Sequence, residues 1–440
     1  MKTGVVQSLF IVNASRFDAS YHLSGGVQSR ARVLKSPYGI GSIGDASKDI
    51  FYGGRNRRVY VTSKAHGIPF LSSSSILKAD LSDVKMVSKK LTPNIQEQLL
   101  EKDWILISRS GTIGNTAYTN DIHAQKLASE HVIRVVPNNI LRAGYMYAFL
   151  SSKYGYNLLT QGTFGAVIQH IEPSHVSQIP IPLFPAEFQN KIDAQIKEAA
   201  ALRVEANKLL EEAKRKVEEF VGFEPEMKKT AIVSSQRIFQ SFGRRFEANY
   251  HISTGSELED YIKDKFEYKL LGDICKSISR PEIFKRNYVK DGVMFLGGAD
   301  IMLATPDSGK YLSRKTPNID ALAVQEDWIL IPRSGTIGDV VYTHSEHAQK
   351  LVSEDVIRAC PNNILSSGYI YAFLSSKVGK ALIQRYIFGS VIQHVESPHL
   401  SRIPIPLMSE KEMTEIDSSI KKYKDNVGKA IRLERSAIKA

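Results

Sequence analysis

Cysteine and tryptophan are nearly absent from this chain, which holds two of each in 440 residues. Neither Cys275 nor Cys360 has a companion at metal-ligand spacing, so no disulfide framework or zinc site is expected. Both read as small buried apolar residues. No apolar run approaches the ~18 residues of a membrane span. The stretch Leu9–Val12 is broken by Asn13, Arg16 and Asp18, and is too short for a secretory signal as well. A cytoplasmic protein is the expectation. Signatures of chemistry are missing too: no P-loop, no Asn-Pro-Pro-Tyr methyltransferase motif, no His-Glu-x-x-His. Gly39-Ile-Gly-Ser-Ile-Gly44 fits the dinucleotide fingerprint in form only. No buried strand leads into it and no apolar helix follows, so it reads as a turn. Asp307-Ser-Gly-Lys310 is a scrap of a nuclease motif without an equivalent elsewhere in the chain. The sequence thus offers no catalytic residue, no metal ligand and no cofactor site of its own. One thing is in excess: the net charge is +12, which favours a polyanionic partner, nucleic acid first.

What is present is present twice. Residues 104–182, from Trp104-Ile-Leu-Ile to Ile-Pro-Ile-Pro182, repeat without a gap as residues 328–406. Roughly two-thirds of the paired positions are identical, and the period is too long for a solenoid, so each copy is a whole domain. Weaker matches extend the repeat toward the N-terminus. Arg16-Phe-Asp-Ala-Ser-Tyr-His22 answers to Arg245-Phe-Glu-Ala-Asn-Tyr-His251, Ile43-Gly-Asp45 to Leu271-Gly-Asp273, and Gly67–Leu71 to Gly292–Leu296. The offset drifts there and then locks, so the first half of each copy has diverged and the second half is fixed. Trp104–Ile107 and His131–Val136 are strand-like and Gly144–Lys153 is helix-like; the signals do not alternate as βαβ units do, which favours an α+β fold.

Each copy ends in a helix. Ile192, Ile196, Ala199, Ala206, Leu210, Ala213, Val217 and Phe220 fall at alternating spacings of three and four, interrupted by Arg203. Met413, Ile416, Ile420, Tyr423, Val427, Ala430 and Ala437 do the same, interrupted by Glu434. These stripes predict a coiled-coil seam, and the main seam positions are Ile192, Ile196, Leu210, Val217, Met413, Ile416, Ile420, Tyr423 and Val427. A rod of about 50 Å is longer than a small domain is wide. Antiparallel pairing, with the globular copies related by a pseudo-twofold axis, is the economical solution.

Arg109-Ser-Gly-Thr-Ile-Gly114 and Arg333-Ser-Gly-Thr-Ile-Gly338 are the sharpest shared segment. Arg109, Ser110, Gly111 and Thr112, with Arg333, Ser334, Gly335 and Thr336, suit either phosphate contact or a turn that any copy of this domain needs. The shared His123-Ala-Gln-Lys126 and His347-Ala-Gln-Lys350, and Gln169-His170 and Gln393-His394, are better suited to structural hydrogen bonding than to catalysis. If the partner is DNA, two copies that read different sequences must read them with residues that differ. In the first copy the candidate base readers are Arg55, Asn56, Arg57, Arg58 and Tyr60, then Ser72 to Ser75 and Lys78. In the second they are Arg280, Lys285, Arg286, Asn287 and Tyr288, then Asp300 and Lys310.

The order domain, long helix, domain, long helix resembles the specificity subunit of type I restriction–modification systems. So do the repeated Arg-Ser-Gly-Thr-Ile-Gly turn and Phe164-Gly and Phe388-Gly running into Ile-Pro-Ile-Pro. The resemblance covers essentially the whole chain. It implies a target recognition domain at residues 1–184, a spacer helix at 185–222, a second target recognition domain at 223–408 and a second spacer helix at 409–440. It further implies a non-catalytic subunit that binds double-stranded DNA at a bipartite site. Two methyltransferase subunits would dock on it, carrying S-adenosylmethionine, with a translocase–nuclease joining for restriction. Two recognition domains this alike raise the expectation of similar half-sites or a recent duplication. A specificity subunit of a type IIB-like or other methylation-linked defence system is the alternative, and a non-DNA protein scaffold a further one.

Overall fold

The computed structural model describes residues 5–6, 8, 11–12, 16–163, 169–224, 230 and 232–440. Phe164-Gly165 and part of Leu9–Val12 lie outside them. The chain divides into two units, residues 1–204 with 429–440, and residues 205–428.

In the first unit the strands are β1 (Ile40–Ser42), β2 (Ser47–Phe51), β3 (Tyr60–Val61), β4 (Gly67–Leu71), β5 (Met86–Ser88), β6 (Ile105–Ser108), β7 (Thr116–Tyr118), β8 (Leu127–Ala128), β9 (Val132–Pro137) and β10 (Pro180–Pro182). One antiparallel sheet has the order β2-β9-β6-β7, with Ile105 opposite Val135 and Ile107 opposite Ile133. A second has the order β3-β5-β4-β8, in which β4 and β8 run parallel. Side chains alternate across a strand. Ile105, Ile107, Ile133 and Val135 therefore enter the larger core with helices α1 (Gly25–Leu34), α2 (Ala143–Ser151) and α3 (Lys153–Gln161). Leu106 and Val132 point the other way, into a smaller core with Leu71, Ile76, Leu81 and Leu100. Burial on both faces is why these strands read as continuous apolar runs. The one exception in β9, Arg134, is fully buried and donates to the carbonyls of Ala128 and Val132.

Ile-Pro-Ile-Pro182 forms β10, which pairs with β1 so that Ile181 faces Gly41. Proline cannot donate to a ladder, and a two-stranded ribbon tolerates it. The ladder is closed by Ile43 N to Ile179 O and Leu183 N to Gly39 O. The Gly39–Gly44 segment is therefore a strand followed by a turn. A Cβ on Gly44 would lie 2.2 Å from Ser177 Oγ, so this glycine serves close packing.

The first long helix, α4 (Ala186–Val221), begins against this core. Asp193 Oδ1 accepts from Gly144 N at 2.8 Å, and Ile192 and Ile196 belong to the core itself. The second unit repeats the strands as β11 (Tyr268–Leu270), β12 (Cys275–Ser279), β13 (Tyr288–Val289), β14 (Val293–Leu296), β15 (Tyr311–Leu312), β16 (Ile329–Pro332), β17 (Val341–Tyr342), β18 (Leu351–Val352), β19 (Val356–Pro361) and β20 (Pro404–Pro406). The sheets are again β12-β19-β16-β17, β13-β15-β14-β18 and β11-β20. Helices α5 (Thr254–Lys265), α6 (Ser367–Ser375) and α7 (Lys377–Arg385) match α1 to α3. The second long helix, α8 (Glu410–Lys439), starts with the same docking contact, Asp417 Oδ1 accepting from Gly368 N at 3.0 Å.

Ile192, Ile196, Leu210, Val217, Ile416, Ile420, Tyr423 and Val427 are buried, while Met413, one turn into its helix, is half-buried. In the first unit α4 and α8 run antiparallel, as the pairs Glu198–Lys429 and Arg203–Glu434 require. In the second, Glu205–Lys422 and Lys216–Glu415 give the same sense. The two polar interruptions of the stripes meet each other: Arg203 donates to Glu434 at 2.5 Å, and the Tyr147 hydroxyl donates to the same carboxylate. The units do not follow the boundaries drawn from the sequence, which set each helix apart. Residues 429–440 belong with the first unit because Ala437 and Ile438 complete its core.

Candidate nucleic-acid interface

The Arg-Ser-Gly-Thr-Ile-Gly turn joins β6 to β7 in the first copy and β16 to β17 in the second. It is built around glycines in left-handed backbone: φ is +78° at Gly111 and Gly335, +82° at Gly114 and +103° at Gly338. A Cβ at Gly335 would meet nothing within 4 Å, so conformation alone demands glycine there. The turn has a largely half-buried root and an exposed tip. At the root, Arg109 donates to Glu172 and lies 4.3 Å from the centre of the Tyr52 ring. Arg333 pairs with Glu396 at 2.7 Å and with Asp355 at 3.3 Å. Burial pushes the Glu396 carboxyl up, but its bonds and charge pairing with Arg333 and Arg280 together hold it below its usual range. Ser110 is buried and bonds His131 Nδ1, and Ser334 donates to Asp355. The tip residues Gly111, Thr112, Gly335 and Thr336 are exposed. Among the described residues, no main-chain carbonyl accepts from the amides of Gly111 or Thr112. The arginines and serines are thus engaged within the domain, while the Gly-Thr tips are exposed, with the Thr112 hydroxyl donating to Ser108 Oγ at 3.2 Å.

The candidate readers separate in the same way. Residues 52–59 link β2 to β3, leaving Arg55 and Arg57 exposed and Asn56 half-buried. Arg58 is tied down, donating to Glu130 at 2.5 Å with its guanidinium 5.0 Å from the Phe70 ring. Arg286 repeats this arrangement with Glu354 at 2.8 Å and Phe295 at 5.2 Å. Tyr60 and Tyr288, exposed beside them, open the equivalent strands β3 and β13. Arg58, Tyr60, Arg286 and Tyr288 are therefore common to both copies, and what is common cannot tell two sequences apart. Arg280 reaches Glu396 at 3.3 Å and occupies the place that Tyr52 holds in the first copy. Lys285, Asn287 and Lys310 are exposed, and Lys78 is half-buried just past a short 3-10 turn.

The structure brings one divergent segment up to the shared turn. The Ser73 carbonyl accepts from Ser108 Oγ at 3.0 Å, and the hydroxyls of Ser72, Ser74 and Ser75 bond one another beside it. The second copy has Gly297-Gly-Ala-Asp300 here, with Asp300 accepting from Gly297 N at 2.8 Å.

Several contributors were not singled out from sequence. Glu172 and Glu396 anchor the turn's arginines, and their constant offset beside the shared Gln-His pairs was the available signal. Lys85, whose Nζ lies 5.3 Å from the Tyr60 ring, occupies the place of Lys310: its carbonyl accepts from Phe70 N as that of Lys310 accepts from Phe295 N. The shared His123 and His347 are buried, and burial holds both down to about 4. They are hydrogen-bonded neutral, His123 to Asn120 Oδ1 and His347 to the Ile301 carbonyl.

A duplicated α+β domain, each copy followed by a long helix and each presenting an open Gly-Thr tip beside a divergent loop, is the architecture of a two-part recognition protein. The chain belongs to the family described as the type I restriction modification DNA specificity domain, whose model matches it twice, at residues 48–214 and 263–440. It is accordingly a DNA-recognition subunit that directs a type I restriction–modification complex, in a family of non-catalytic specificity subunits. Among solved structures, the S subunit of a type I restriction–modification system from M. genitalium is similar at 15% identity and a TM-score of 0.34, over 92% of this chain and 96% of that one. The HsdS subunit from Thermoanaerobacter tengcongensis is similar at 13% identity and a TM-score of 0.29, over 92% and 94%. No curated protein sequence matches the chain. Among the described residues, no helix is long and apolar enough to cross a membrane.

Proposed function

We propose that this chain reads a bipartite DNA site, one half with each globular domain, and does no chemistry itself. The observation that carries this reading is the internal comparison. Two copies with the same scaffold, down to the Arg58–Glu130 and Arg286–Glu354 pairs, differ in partly exposed loops, one of which, residues 72–75, bonds Ser108 at the base of the shared turn. The Gly-Thr tips suit a phosphate and would set the register of each domain on the duplex. Discrimination then falls to residues 52–57, 72–75 and 78–84 in the first domain and 280–285, 297–300 and 303–309 in the second. Within these, Arg55, Asn56, Arg57, Ser72 and Lys78, with Arg280, Lys285 and Asp300, are the proposed base readers. Arg58 and Arg286 move from that set to the scaffold, and Lys310, sharing its place with Lys85, moves to backbone contact. The paired helices would set the distance between halves and dock two methyltransferase subunits bearing S-adenosylmethionine, with a translocase–nuclease joining for restriction. The work would be done in the cytoplasm, where the host DNA is.

Single-molecule mapping of modified bases in host DNA, with and without this gene, tests the proposal. The expected result is a split motif that vanishes on deletion. An unchanged set of modified motifs in a strain that makes the whole complex would contradict it. Arg57→Ala is expected to relax only one half of the motif, and equal loss at both halves would place Arg57 on the phosphates instead.

A further inference from the structure

The shared N-terminal motif and the shared Phe-Gly segment meet in space. Arg245, buried and paired with Glu247, donates to the Ile387 carbonyl at 2.7 Å. Arg16, paired with Asp18, donates in the same way to the Thr163 carbonyl at 2.9 Å. In the second copy the hairpin that follows is described. Phe388 N donates to His394 O and His394 N to Phe388 O, which closes a narrow loop. The Phe388 ring packs between His394 and His399, with Arg245 at 5.9 Å. Gly389 has φ +99°, and a Cβ there would lie 2.4 Å from Ile392 O, so only glycine allows the loop to close. The stem is rigid, yet the tip is apolar and open: Val391 is 93% exposed and Ile392 is 64% exposed. The tip is fastened to the recognition turn. Ser334 bridges to His394, Arg333 Nη1 is 3.1 Å from His394 Nδ1, and Val395 N donates to Arg333 O. The hairpin that carries Val391-Ile392 is thus anchored at Arg333 and Ser334, the residues next to the exposed Gly335-Thr336 tip. The first copy carries the same pair as Val167-Ile168, outside the described residues.

We propose that Val391 and Ile392 form an apolar wedge that enters a groove of the DNA and leans on one base step of the second half-site. Apolar side chains delivered between base steps unstack them and bend the duplex, so that more protein surface can reach it. An aliphatic pair on a glycine-closed stem, beside a phosphate-suited tip, has the form this needs.

This rests on the bipartite DNA reading, and the test separates the two. The full chain with its methyltransferase is titrated onto a duplex carrying the mapped motif, with 2-aminopurine placed at successive steps of the second half-site. The unaltered complex should bind and raise the fluorescence at one step. The V391S/I392S chain, with unchanged thermal stability and methyltransferase co-purification, should lose that rise and bind about tenfold more weakly. Its salt dependence should not change, since no phosphate contact is removed. Unchanged affinity and fluorescence in the variant would overturn the wedge. Loss of methyltransferase binding would overturn it too, making the tip a protein-docking point. Failure of the unaltered complex to bind the motif would instead overturn the underlying DNA reading.

Discussion

At the scale of single residues, the two copies act as a control on each other. Gly111 and Gly335 keep the same φ, and a Cβ would meet nothing within 4 Å at Gly335 and only Ser73 Oγ, at 3.7 Å, at Gly111, so the cost of a side chain there is chiefly conformational. Gly335→Ala should destabilise the second unit by about 1 kcal/mol, the usual cost of left-handed backbone for an L-residue. Gly338→Ala should cost more, because its Cβ would also lie 2.9 Å from Lys380 Cγ. Chemical denaturation of both variants checks the order. His123 and His347 give a pH prediction. Burial lowers both to about 4 in the folded chain, against about 6.5 unfolded. The unfolded chain therefore binds the proton first. Stability is fully present above pH ~6.5 and is lost as the pH falls toward 4, by on the order of 2 kcal/mol per histidine at pH 5. His123→Gln with His347→Gln should flatten the fall in melting temperature between pH 6.5 and 5. An equally steep fall in the doubly substituted chain would show that these histidines are not the cause.

At the scale of elements, the long helices carry both packing and polar specificity. Arg203, Glu434 and Tyr147 form one network in the first unit, and its members are mostly buried. Glu434→Ala removes one acceptor from both a guanidinium and a hydroxyl and should cost about 2 kcal/mol, discounted for the partial exposure of Arg203. Replacing Arg203 by Met as well should restore part of this, so that a double-mutant cycle reports coupling; strict additivity would mean that the pair contributes nothing. These elements also show what could be read in advance. The helix stripes were legible because a three/four spacing sustained over many turns has few other uses, and β6 and β9 were legible as dense β-branched runs. The sheet β3-β5-β4-β8 was not, since its strands are as short as two residues and its parallel pair joins residues far apart in sequence. Glycines 39–44 looked like a turn because the partner strand is proline-rich and lies far along the chain. Arg58 looked like a free reader because its carboxylate, Glu130, is 72 residues away.

At the scale of the whole molecule, the proposed function assigns one half-site to each globular domain and makes the long helices the ruler between them. On that proposal the divergent loops carry discrimination, while the turn and its anchoring glutamates are the same in both copies. That explains why the second half of each copy is so well matched and the first half is not. The most direct test of this account shortens the ruler. Removing one heptad from the first long helix, residues 206–212, and the facing heptad of the second, residues 421–427, takes out about 10 Å of rise. Modified-base mapping of a strain carrying this variant should return both half-sites unchanged in sequence, with the gap between them shorter by about three base pairs. The original gap, recovered from a folded and active variant, would contradict the account.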